Sequence, residues 1–339
     1  MLRAIITLIL IAAVFFIIVM VIDNNRFVVR NYSVRSPKIK KPIKLLFIAD
    51  LHEKCYGKDN KVLVDAIRAQ SPDMILIGGD LIVSAKAARH EENSRKRGGP
   101  GAGDHSWMKT SEDFIRRIAP ICPTRFVKGN HELRLDYYEE LNPYGEVFRD
   151  VMESAGAKMP GNGYEDLECP RPGGSGGAPE KEGERDTGIR LCGLELPMAY
   201  YKKFKKTALS EDVLTELMGD ADRTRFNVLL THSPVYFEQY TKWGADLCLC
   251  GHVHGGLMRL PLIGGVVGTR PTLFPKYSGG QYFYSVPDTE GTRIGSMILT
   301  CGLGMHTLPI RIFNPGEISV ISLLPSDVRR DQKQEAAWN

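Results

Sequence analysis

The most apolar stretch of the chain lies near its start, where residues 4–22 contain no charged side chain. Nineteen such residues in a helix are enough to cross the hydrocarbon region of a bilayer. A cleavable signal peptide would have a shorter apolar region and a small-residue cleavage site. The pair Ala12-Ala13 instead lies in the middle of the run and is followed by bulky side chains. The pattern favours a single-pass membrane anchor over residues 1–22.

Basic residues follow the apolar run and indicate its orientation. Before the run stands Arg3, whereas after it come Arg26, Arg30, Arg35, Lys38, Lys40 and Lys41. Because positive charge gathers on the cytoplasmic side of a membrane, we expect the folded domain on the cytoplasmic face of the cell membrane. Residues 23–42 are interpreted as a basic juxtamembrane linker. Its lysines and arginines fit either a solvated stalk or contact with anionic headgroups.

Strand-like and helix-like patterns alternate beyond residue 42. Residues 43–49 and 74–77 are apolar runs, and residues 59–70 between them carry apolar side chains at helical spacing. This order predicts an α/β sheet whose functional loops leave the carboxyl ends of the strands. The same patterns predict strands at 123–128, 189–196, 226–230 and 245–250, helices at 107–118 and 210–218, and, between 281 and 324, antiparallel strands that complete a second sheet.

Two polar, glycine-rich segments interrupt these patterns. They cover about residues 85–106 and 160–187, and we predict that both are flexible insertions. Residues 326–339 read as a polar C-terminal tail. The globular domain is therefore expected over residues 43–325.

Composition narrows the function only slightly. The chain has 339 residues, of which 43% are hydrophobic and 25% charged, with a net charge of +4. Its basic residues form no aromatic-interleaved stripe, so no nucleic-acid partner is expected. The seven cysteines are an odd number without framework spacing, and several lie in strand-like runs. We interpret them as reduced thiols, which favours a reducing compartment.

Side chains that can bind metal ions follow five of the predicted strands. They are Asp50 and His52, Asp80, Asn130 and His131, His232, and His252 and His254. Taken singly, each has an ordinary explanation as a turn residue, a helix cap or a hydrogen-bonded core histidine. Because ligands bind at the carboxyl ends of strands in such sheets, their repetition predicts one shared site. The glycines around residues 252–254 allow the sharp turns that a metal site often requires.

The ligand types restrict the metal and its chemistry. Imidazole, carboxylate and amide ligands together suit Mn²⁺, Fe or Zn²⁺ and argue against calcium, which prefers oxygen ligands alone. An ion of this type acts as a Lewis acid and lowers the pKa of a bound water.

The motifs also carry a family resemblance. They are Asp50-x-His52, Gly79-Asp80, Gly129-Asn130-His131-Glu132, His232 and Gly251-His252-x-His254. In order and spacing they resemble the motifs of the calcineurin-like metallophosphoesterase family, over roughly residues 43–324. The resemblance implies a four-layer α/β/β/α sandwich, preceded here by one N-terminal transmembrane helix, and a metal-dependent phosphoester hydrolase.

The resemblance further implies how two metal ions are held. One ion is bound by Asp50, His52, Asp80 and His254, and the other by Asp80, Asn130, His232 and His252, with Asp80 bridging. His131 is not needed as a ligand, so it is free to protonate the leaving oxygen. A histidine that merely hydrogen-bonds a nearby carboxylate stays open as the alternative.

Two further segments narrow the resemblance. Residues 255–277 and 302–318 are similar to the membrane-associated bacterial branch of the family, which includes hydrolases of UDP-diacylglucosamine in the lipid A pathway. His306 departs from that branch, and we assign it no role. The apolar stretch 257–267, together with the anchor, motivates the hypothesis of a lipid-linked phosphoester or pyrophosphate substrate. A buried loop or core strand explains the same stretch.

Two other functions stay open. The chain could be a phosphodiesterase or phosphatase of soluble nucleotides, for which the anchor provides only location. It could also be a catalytically silent metal-binding scaffold. The complete ligand set and His131 argue against a scaffold, since a degenerate site would have lost at least one ligand. The sequence does not indicate an oligomeric state.

Overall fold

The computed structural model describes residues 1–97, 104–169, 185–202, 207–268, 272–288, 291–305 and 308–326. His306, residues 98–103 of the first predicted insertion, residues 170–184 of the second and nearly all of the predicted C-terminal tail lie outside the described residues.

Helices and strands alternate through the first part of the chain, as the sequence predicts. Among the described residues, the helices are α1 (Leu2–Asn25), α2 (Lys61–Ala69), α3 (Ser84–Arg97), α4 (Lys109–Ile118), α5 (Asn130–Tyr137), α6 (Asn142–Ser154), α7 (Glu211–Met218) and α8 (Phe237–Trp243). The strands are β1 (Phe27–Ser36), β2 (Ile43–Ile48), β3 (Met74–Ile77), β4 (Thr124–Phe126), β5 (Ala157–Lys158), β6 (Gly163–Glu168), β7 (Asp186–Leu194), β8 (Phe226–Thr231), β9 (Leu247–Cys250), β10 (Met258–Leu260), β11 (Gly264–Val267), β12 (Gly280–Asp288), β13 (Gly291–Leu299) and β14 (Gly316–Pro325).

Most of these strands form two sheets. The first sheet has the order β1-β14-β2-β3-β4-β5 and the second the order β12-β13-β9-β8-β7-β6. In the first sheet β2 to β5 run parallel, and β14 runs antiparallel to β2. In the second sheet β7, β8, β9 and β13 run parallel. The strands β10 and β11 form a separate hairpin. The parallel strands bring the carboxyl ends of β2, β3 and β4 to one edge.

The two sheets pack face to face between two layers of helices. Along β2, Leu46 and Ile48 point into the core under the first helix layer, whereas Leu45 and Phe47 point into the core between the sheets. This alternation is the period-two pattern of a strand buried on both faces. A third core joins the second sheet to α7 and α8, as at Leu229. The predicted four-layer α/β/β/α architecture is confirmed.

The predicted linker over residues 23–42 is wrong for its central part. Phe27–Ser36 is the strand β1, which pairs in parallel with β14 along its whole length. Phe27 packs on the helix-side core and Tyr32 on the core between the sheets, so its two faces alternate. The charged residues of β1, such as Arg30, are tolerated because β1 is an edge strand. The sequence prediction used the polar, basic composition of this segment and did not take its alternating pattern into account.

The strand β14 lies in the first sheet, and the prediction that it completes the second sheet is wrong. The sequence predicts that the strands between residues 281 and 324 all complete the second sheet, and β12 and β13 do so. Gly316–Pro325 instead lies in the first sheet, between β1 and β2. Its apolar side chains are buried on both faces, so its hydrophobic pattern fits either sheet equally well. Its hydrogen bonds to β1 and β2, which lie far away in the sequence, determine which sheet it joins.

The first predicted insertion is largely helical. Ser84–Arg97 forms α3, with Ala87 fully buried and the Tyr144 hydroxyl donating to Glu91 at 2.7 Å. A strongly polar composition here marks a surface helix and not disorder, because a few contacts on one face suffice to hold it. At the second insertion, Gly163–Glu168 and the start of β7 flank residues outside the described part.

Candidate metal centre

All the metal-ligand candidates lie at the ends of strands, as predicted. Asp50 and His52 follow β2, Asp80 follows β3, Asn130 and His131 begin α5 after β4, His232 follows β8, and His252 and His254 follow β9. All are buried except His252, which is half-buried. Because β2 to β4 belong to the first sheet and β8 and β9 to the second, both sheets contribute to the cluster.

The side chains form two main groups of potential ligand atoms. In the first group, Nε2 of His254 lies 3.3 Å from Nε2 of His52 and 3.9 Å from Oδ1 of Asp50. In the second, Nε2 of His232 lies 3.2 Å from Oδ2 of Asp80 and 3.2 Å from Nδ1 of His252. These are the residues that the resemblance divides between two ions; the roles themselves stay a prediction.

Asp80 lies between the two groups. Its Oδ2 is 3.2 Å from His232 and 3.8 Å from Nε2 of His52, so one oxygen faces a histidine of each group. Its Oδ1 accepts the backbone N–H of His131 at 2.8 Å. That hydrogen bond fixes the carboxylate plane and leaves Oδ2 pointing at the cluster.

Backbone carbonyls orient three of the histidines. Nδ1 of His52 lies 3.1 Å from the carbonyl oxygen of Ile82, and Nδ1 of His254 lies 2.9 Å from that of Gly304. Nδ1 of His232 faces the carbonyl of Gly78 at 2.6 Å. A neutral imidazole that donates from Nδ1 keeps its lone pair on Nε2. These three rings therefore present Nε2 to the cluster, whereas His252 presents Nδ1.

The loops that carry the ligands have unusual backbone conformations. Five of the candidates have a positive φ: Asp50 (55°), His52 (50°), Asp80 (54°), His252 (77°) and His254 (52°). Such conformations in residues other than glycine cost of order 1–3 kcal/mol each and persist where the surrounding structure imposes them. Here they turn the chain back over the sheet edge, so the side chains face one point.

The loop after β3 and the loop after β4 approach each other closely. A Cβ atom on Gly129 would lie 2.2 Å from Oδ1 of Asp80, so this position accepts only glycine. Glu132 joins the same two loops: its carboxylate accepts the backbone N–H groups of Asp80 at 2.8 Å, Gly129 at 3.0 Å and Ile82 at 3.2 Å. The sequence analysis gave Glu132 no role, although its place three residues after a helix N-cap is a capping-box signal.

The charges of the cluster depend strongly on one another. Burial raises the pKa of Asp50 to about 7. Burial and the neighbouring charge of Asp80 raise the pKa of Glu132 to about 8. Burial opposes a charge on His232, but Asp80 outweighs it and raises the pKa of His232 to about 9. Burial likewise opposes the charge on Asp80, yet His232 and His131 hold its pKa well below the usual range. The buried carboxylates thus require nearby positive charge.

Asn130 provides a direct test of whether metal ions fit. Its Oδ1 is buried and has no hydrogen-bond partner among the described residues. A buried amide oxygen without a partner is costly unless a ligand satisfies it. Among the other candidates, carboxylate oxygens and imidazole nitrogens form three groups of three, and the atoms within each group lie within 4.8 Å of one another. The donor set therefore fits divalent ions of the Mn²⁺, Fe or Zn²⁺ type.

His131 is held by Ser84, which the sequence analysis missed. The backbone N–H of Ser84 donates to Nδ1 of His131 at 3.1 Å, and the Ser84 hydroxyl lies 3.0 Å from the same atom. With Nδ1 accepting, the proton of the neutral ring is on Nε2. A ring nitrogen of His131 also lies within 4.8 Å of ligand atoms of His52 and Asp80. His131 can therefore offer an N–H group at the edge of the cluster.

Residues from the end of the domain support the His254 loop. Asn314 donates through Nδ2 to the carbonyls of His254 and Gly256, each at 2.8 Å. Arg311, which is 1% exposed, donates to the carbonyl of Gly304 at 2.8 Å, the same oxygen that faces His254. The only signal in the sequence is an arginine within the apolar segment 308–313.

Tyr201 is a further neighbour of the cluster that the sequence analysis missed. Its ring centre lies 5.6 Å from that of His252 and 6.0 Å from that of His232. Its hydroxyl is buried and has no hydrogen-bond partner among the described residues. It follows β7 within an aromatic run, a pattern that does not distinguish a site residue from a core residue.

Known proteins share this sequence pattern. The metallophosphoesterase YkuE of Bacillus subtilis is 26% identical over 283 residues, which cover 83% of this chain and 78% of that protein. The phosphodiesterase YaeI of Escherichia coli is 27% identical over 226 residues, or 66% of this chain and 64% of that protein. A solved structure, a dimetal phosphatase from Danio rerio, is 10% identical, with an alignment that covers 77% of this chain and 87% of that chain and a TM-score of 0.34.

A family model gives the assignment. The model of the calcineurin-like phosphoesterases matches residues 43–256, more than half of the chain. The matched region contains every strand-end ligand candidate from Asp50 to His254. The chain therefore belongs to the calcineurin-like phosphoesterase family.

Proposed function

We propose that this chain is a membrane-anchored phosphoesterase with two divalent metal ions that hydrolyses a phosphoester or pyrophosphate bond of a lipid-linked substrate. The observation that carries the proposal is the position of Asp80, whose Oδ2 faces histidines of both ligand groups in one buried cluster. The family to which the chain belongs uses a dinuclear metal centre, and a shared carboxylate is the ligand that such a centre requires.

The ligand residues have separate roles in this proposal. Asp50, His52, Asp80 and His254 would hold one ion, and Asp80, Asn130, His232 and His252 the other. When bound, the ions supply Lewis-acid chemistry, which activates water and stabilises charge on a phosphoryl group. Mn²⁺, Fe and Zn²⁺ all suit these ligands, and we favour Mn²⁺ for the first assays.

His131 would assist the departure of the leaving oxygen by donating a hydrogen bond to it from Nε2. Ser84 accounts for its orientation, because the backbone N–H of Ser84 occupies Nδ1 and leaves the ring proton on Nε2. The backbone N–H of His131 donates to Oδ1 of Asp80 at 2.8 Å. This hydrogen bond fixes the position of His131 relative to the carboxylate that the two ions would share. A proton donor placed in this way typically contributes about 10²–10⁴-fold to the rate.

The anchoring of the chain rests on α1. It has 24 residues, and none of its most apolar window is buried against the protein. A membrane anchor and a signal sequence both have these properties, but the contacts of α1 favour retention in the mature protein. Asp23, at the end of α1, is 1% exposed and accepts the backbone N–H of Asn314 at 2.9 Å. Removal of α1 would leave that N–H buried and unpaired. The basic residues after α1 favour a cytoplasmic domain.

An assay of the full chain tests the proposal. The protein, purified in detergent, stripped with a chelator and reloaded with Mn²⁺, is tested on bis-p-nitrophenyl phosphate, nucleotides and UDP-diacylglucosamine. We expect metal-dependent hydrolysis, with the lipid-linked substrate preferred. Turnover of soluble diesters and nucleotides alone would favour the soluble-substrate alternative. Two bound ions without turnover of any of these substrates would favour a silent scaffold.

A further inference from the structure

Exposed apolar side chains are concentrated on three loop segments, the last of which contacts α1. The first is the tip of the β10–β11 hairpin, the second comprises residues 272–274 and the third residues 308–313. Their exposed members, which we name the apolar rim, are Leu262, Ile263, Leu273, Phe274, Leu308 and Phe313. Leu262 at the hairpin tip is fully exposed (108%). A patch of large apolar side chains of this kind marks a surface that contacts a partner or a membrane.

Backbone hydrogen bonds hold the three segments together. The hairpin and the segment 308–313 exchange two bonds, from Arg259 to Ile312 and from Ile312 to Leu257, each of 3.0 Å. The N–H of Phe274 donates to the carbonyl of Val266 in the hairpin at 2.9 Å. The rim is therefore one continuous surface and not three separate loops.

The rim touches α1 well inside its apolar part. The ring of Phe313 lies 6.3 Å from that of Phe15 and 6.4 Å from that of Phe16, measured between centres. Those two phenylalanines precede Asp23, the first charged residue after the apolar run, by eight and seven residues. At about 1.5 Å per residue, Phe313 is level with a point roughly 10–12 Å along the helix axis from that charge. An α1 helix that spans a bilayer would place this point in the hydrocarbon region.

We infer that the apolar rim inserts into the membrane leaflet next to α1, as a second attachment of the catalytic domain. The partner is the acyl-chain region of the bilayer, and the inference rests on the proposed membrane anchoring of α1. The rim can enter because its side chains are apolar and exposed, whereas the basic and acidic residues after α1 mark the start of the aqueous side. Insertion holds the domain in one orientation, which α1 alone would not do.

The insertion also fixes the position of the metal centre relative to the lipid surface. The hairpin follows the His254 loop directly, and Asn314, next to Phe313, donates to the carbonyl of His254 at 2.8 Å. The metal centre therefore lies only a few residues from the inserted segments. A phosphate carried on a lipid headgroup would meet the centre at the membrane surface, without the lipid leaving the bilayer.

Fluorescence quenching by lipids tests the inference on the full chain. Leu262→Trp places an indole at the rim, and Tyr164→Trp is the matched control. Tyr164 is exposed on β6, at the edge of its sheet opposite to β12, and Arg190 lies over its ring at 4.2 Å, a contact that tryptophan retains. Both variants are placed in phosphatidylcholine–phosphatidylglycerol nanodiscs with plain or brominated acyl chains. The emission of the unsubstituted protein is subtracted.

We expect brominated chains to reduce the emission of the Leu262→Trp variant at least about twofold and to leave the Tyr164→Trp variant unchanged. Aqueous iodide should quench the control more strongly than the rim variant. Equal quenching of both by iodide, without quenching by brominated lipid, would overturn the inference. Shielding of the rim indole from both quenchers would also overturn it, because a protein contact would then cover the rim.

The outcomes distinguish a failure of the apolar-rim inference from a failure of the proposed function. If the full chain does not enter nanodiscs, both the anchor and the rim are wrong, yet Mn²⁺-dependent hydrolysis of bis-p-nitrophenyl phosphate would still establish the phosphoesterase. If the chain enters nanodiscs and the rim variant behaves like the control, only the rim is wrong. Both variants should hydrolyse the soluble diester like the unsubstituted protein, which confirms that they are folded.

Discussion

The histidines of the metal centre differ in which nitrogen they offer. Three rings donate from Nδ1 to backbone carbonyls, whereas Nδ1 of His131 accepts the backbone N–H of Ser84. In the proposed function, the same residue type would therefore bind a metal ion where a carbonyl meets Nδ1 and would donate from Nε2 to the leaving oxygen where an N–H group meets Nδ1. The identity of the neighbouring backbone atom, which no motif encodes, determines the chemistry of each ring.

Replacement of His131 by alanine tests whether this residue acts on the leaving oxygen or binds a metal ion. We expect kcat to fall by about 10²–10⁴-fold, because the leaving oxygen loses its proton donor. Two metal ions should remain bound. Steady-state kinetics with bis-p-nitrophenyl phosphate, together with metal content by mass spectrometry, measure both quantities.

Asn130→Ala is the control for this variant. It removes the amide oxygen that has no hydrogen-bond partner among the described residues, so we expect loss of one ion. Because a ring nitrogen of His131 lies near ligand atoms of His52 and Asp80, loss of metal from His131→Ala would instead identify His131 as a ligand. Full activity of that variant would remove it from the mechanism.

Glu132 should matter for stability although it is not one of the ligand candidates. Glu132→Ala leaves the N–H groups of Asp80, Gly129 and Ile82 without their acceptor, and each unpaired buried N–H costs about 1–3 kcal/mol. We expect a lower melting temperature in detergent and weaker retention of metal. Glu132→Gln keeps one acceptor oxygen and should fall between alanine and the unsubstituted protein. Equal melting temperatures for all three proteins would contradict this assignment.

The clustering of most ligand candidates could be predicted from the sequence, but the residues that orient them could not. Asp50, Asp80 and His232 directly follow apolar runs, and the order of chain segments alone places such residues at a sheet edge. Ser84 and Asn314 act through single backbone hydrogen bonds to distant loops. Neither has a local pattern that distinguishes it from an ordinary serine or asparagine.

At the scale of elements, β1 is the clearest departure from the sequence prediction. It covers the edge of β14 and connects α1 to the first sheet without an intervening stalk. Its residues read as a linker because basic side chains interrupt the apolar ones. An edge strand needs fewer apolar residues than a central strand, so local composition underestimates it.

Truncation tests the importance of β1. We expect a fragment that begins at Asp23 to be folded, because it keeps β1, the carboxylate that accepts the Asn314 N–H and the bond from the N–H of Gly316 to the carbonyl of Arg26. A fragment that begins at Lys41 lacks β1 and exposes the edge of β14, so it should aggregate or melt at a markedly lower temperature. Size-exclusion chromatography and thermal unfolding of the two fragments measure the difference. Identical behaviour would show that β1 is dispensable.

At the scale of the whole molecule, the sequence predicts the layers but not all the pairings. Alternating strands and helices followed by a run of strands determine four layers, because each apolar face must be covered. The order of strands within a layer depends on contacts between residues far apart in the chain. Phe27 pairs with Gly316, for example, and no local pattern indicates that pairing.

The metal centre should make the stability of the whole protein depend on pH. In the metal-free protein the pKa values of Asp50, Glu132 and His232 are raised, to about 7, about 8 and about 9. Each group therefore stabilises the fold below its unfolded pKa, and this contribution is lost as pH rises through the folded pKa. Asp80, whose pKa is lowered, acts in the opposite sense only at acidic pH. The free energy of unfolding of the metal-free protein should therefore decrease as the pH rises from about 4 to about 9.

Metal ions should remove this dependence, because they replace the protons as the source of positive charge. We expect the difference in melting temperature between Mn²⁺-loaded and chelator-treated protein to be larger at about pH 8.5 than at about pH 6. Thermal unfolding in detergent at the two pH values measures it. A difference that shrinks as pH rises would contradict the assigned shifts.

The position of β14 between β1 and β2 constrains how the protein can be made. At about 5–20 residues per second, a ribosome needs roughly 15–60 s to proceed from β1 to β14. During that time β2 has no neighbour on one side, and β1 has no strand to pair with. The nascent chain is therefore a substrate for chaperones that shield open strands. Ribosomes that stall before residue 316 should release products that cells degrade rather than accumulate.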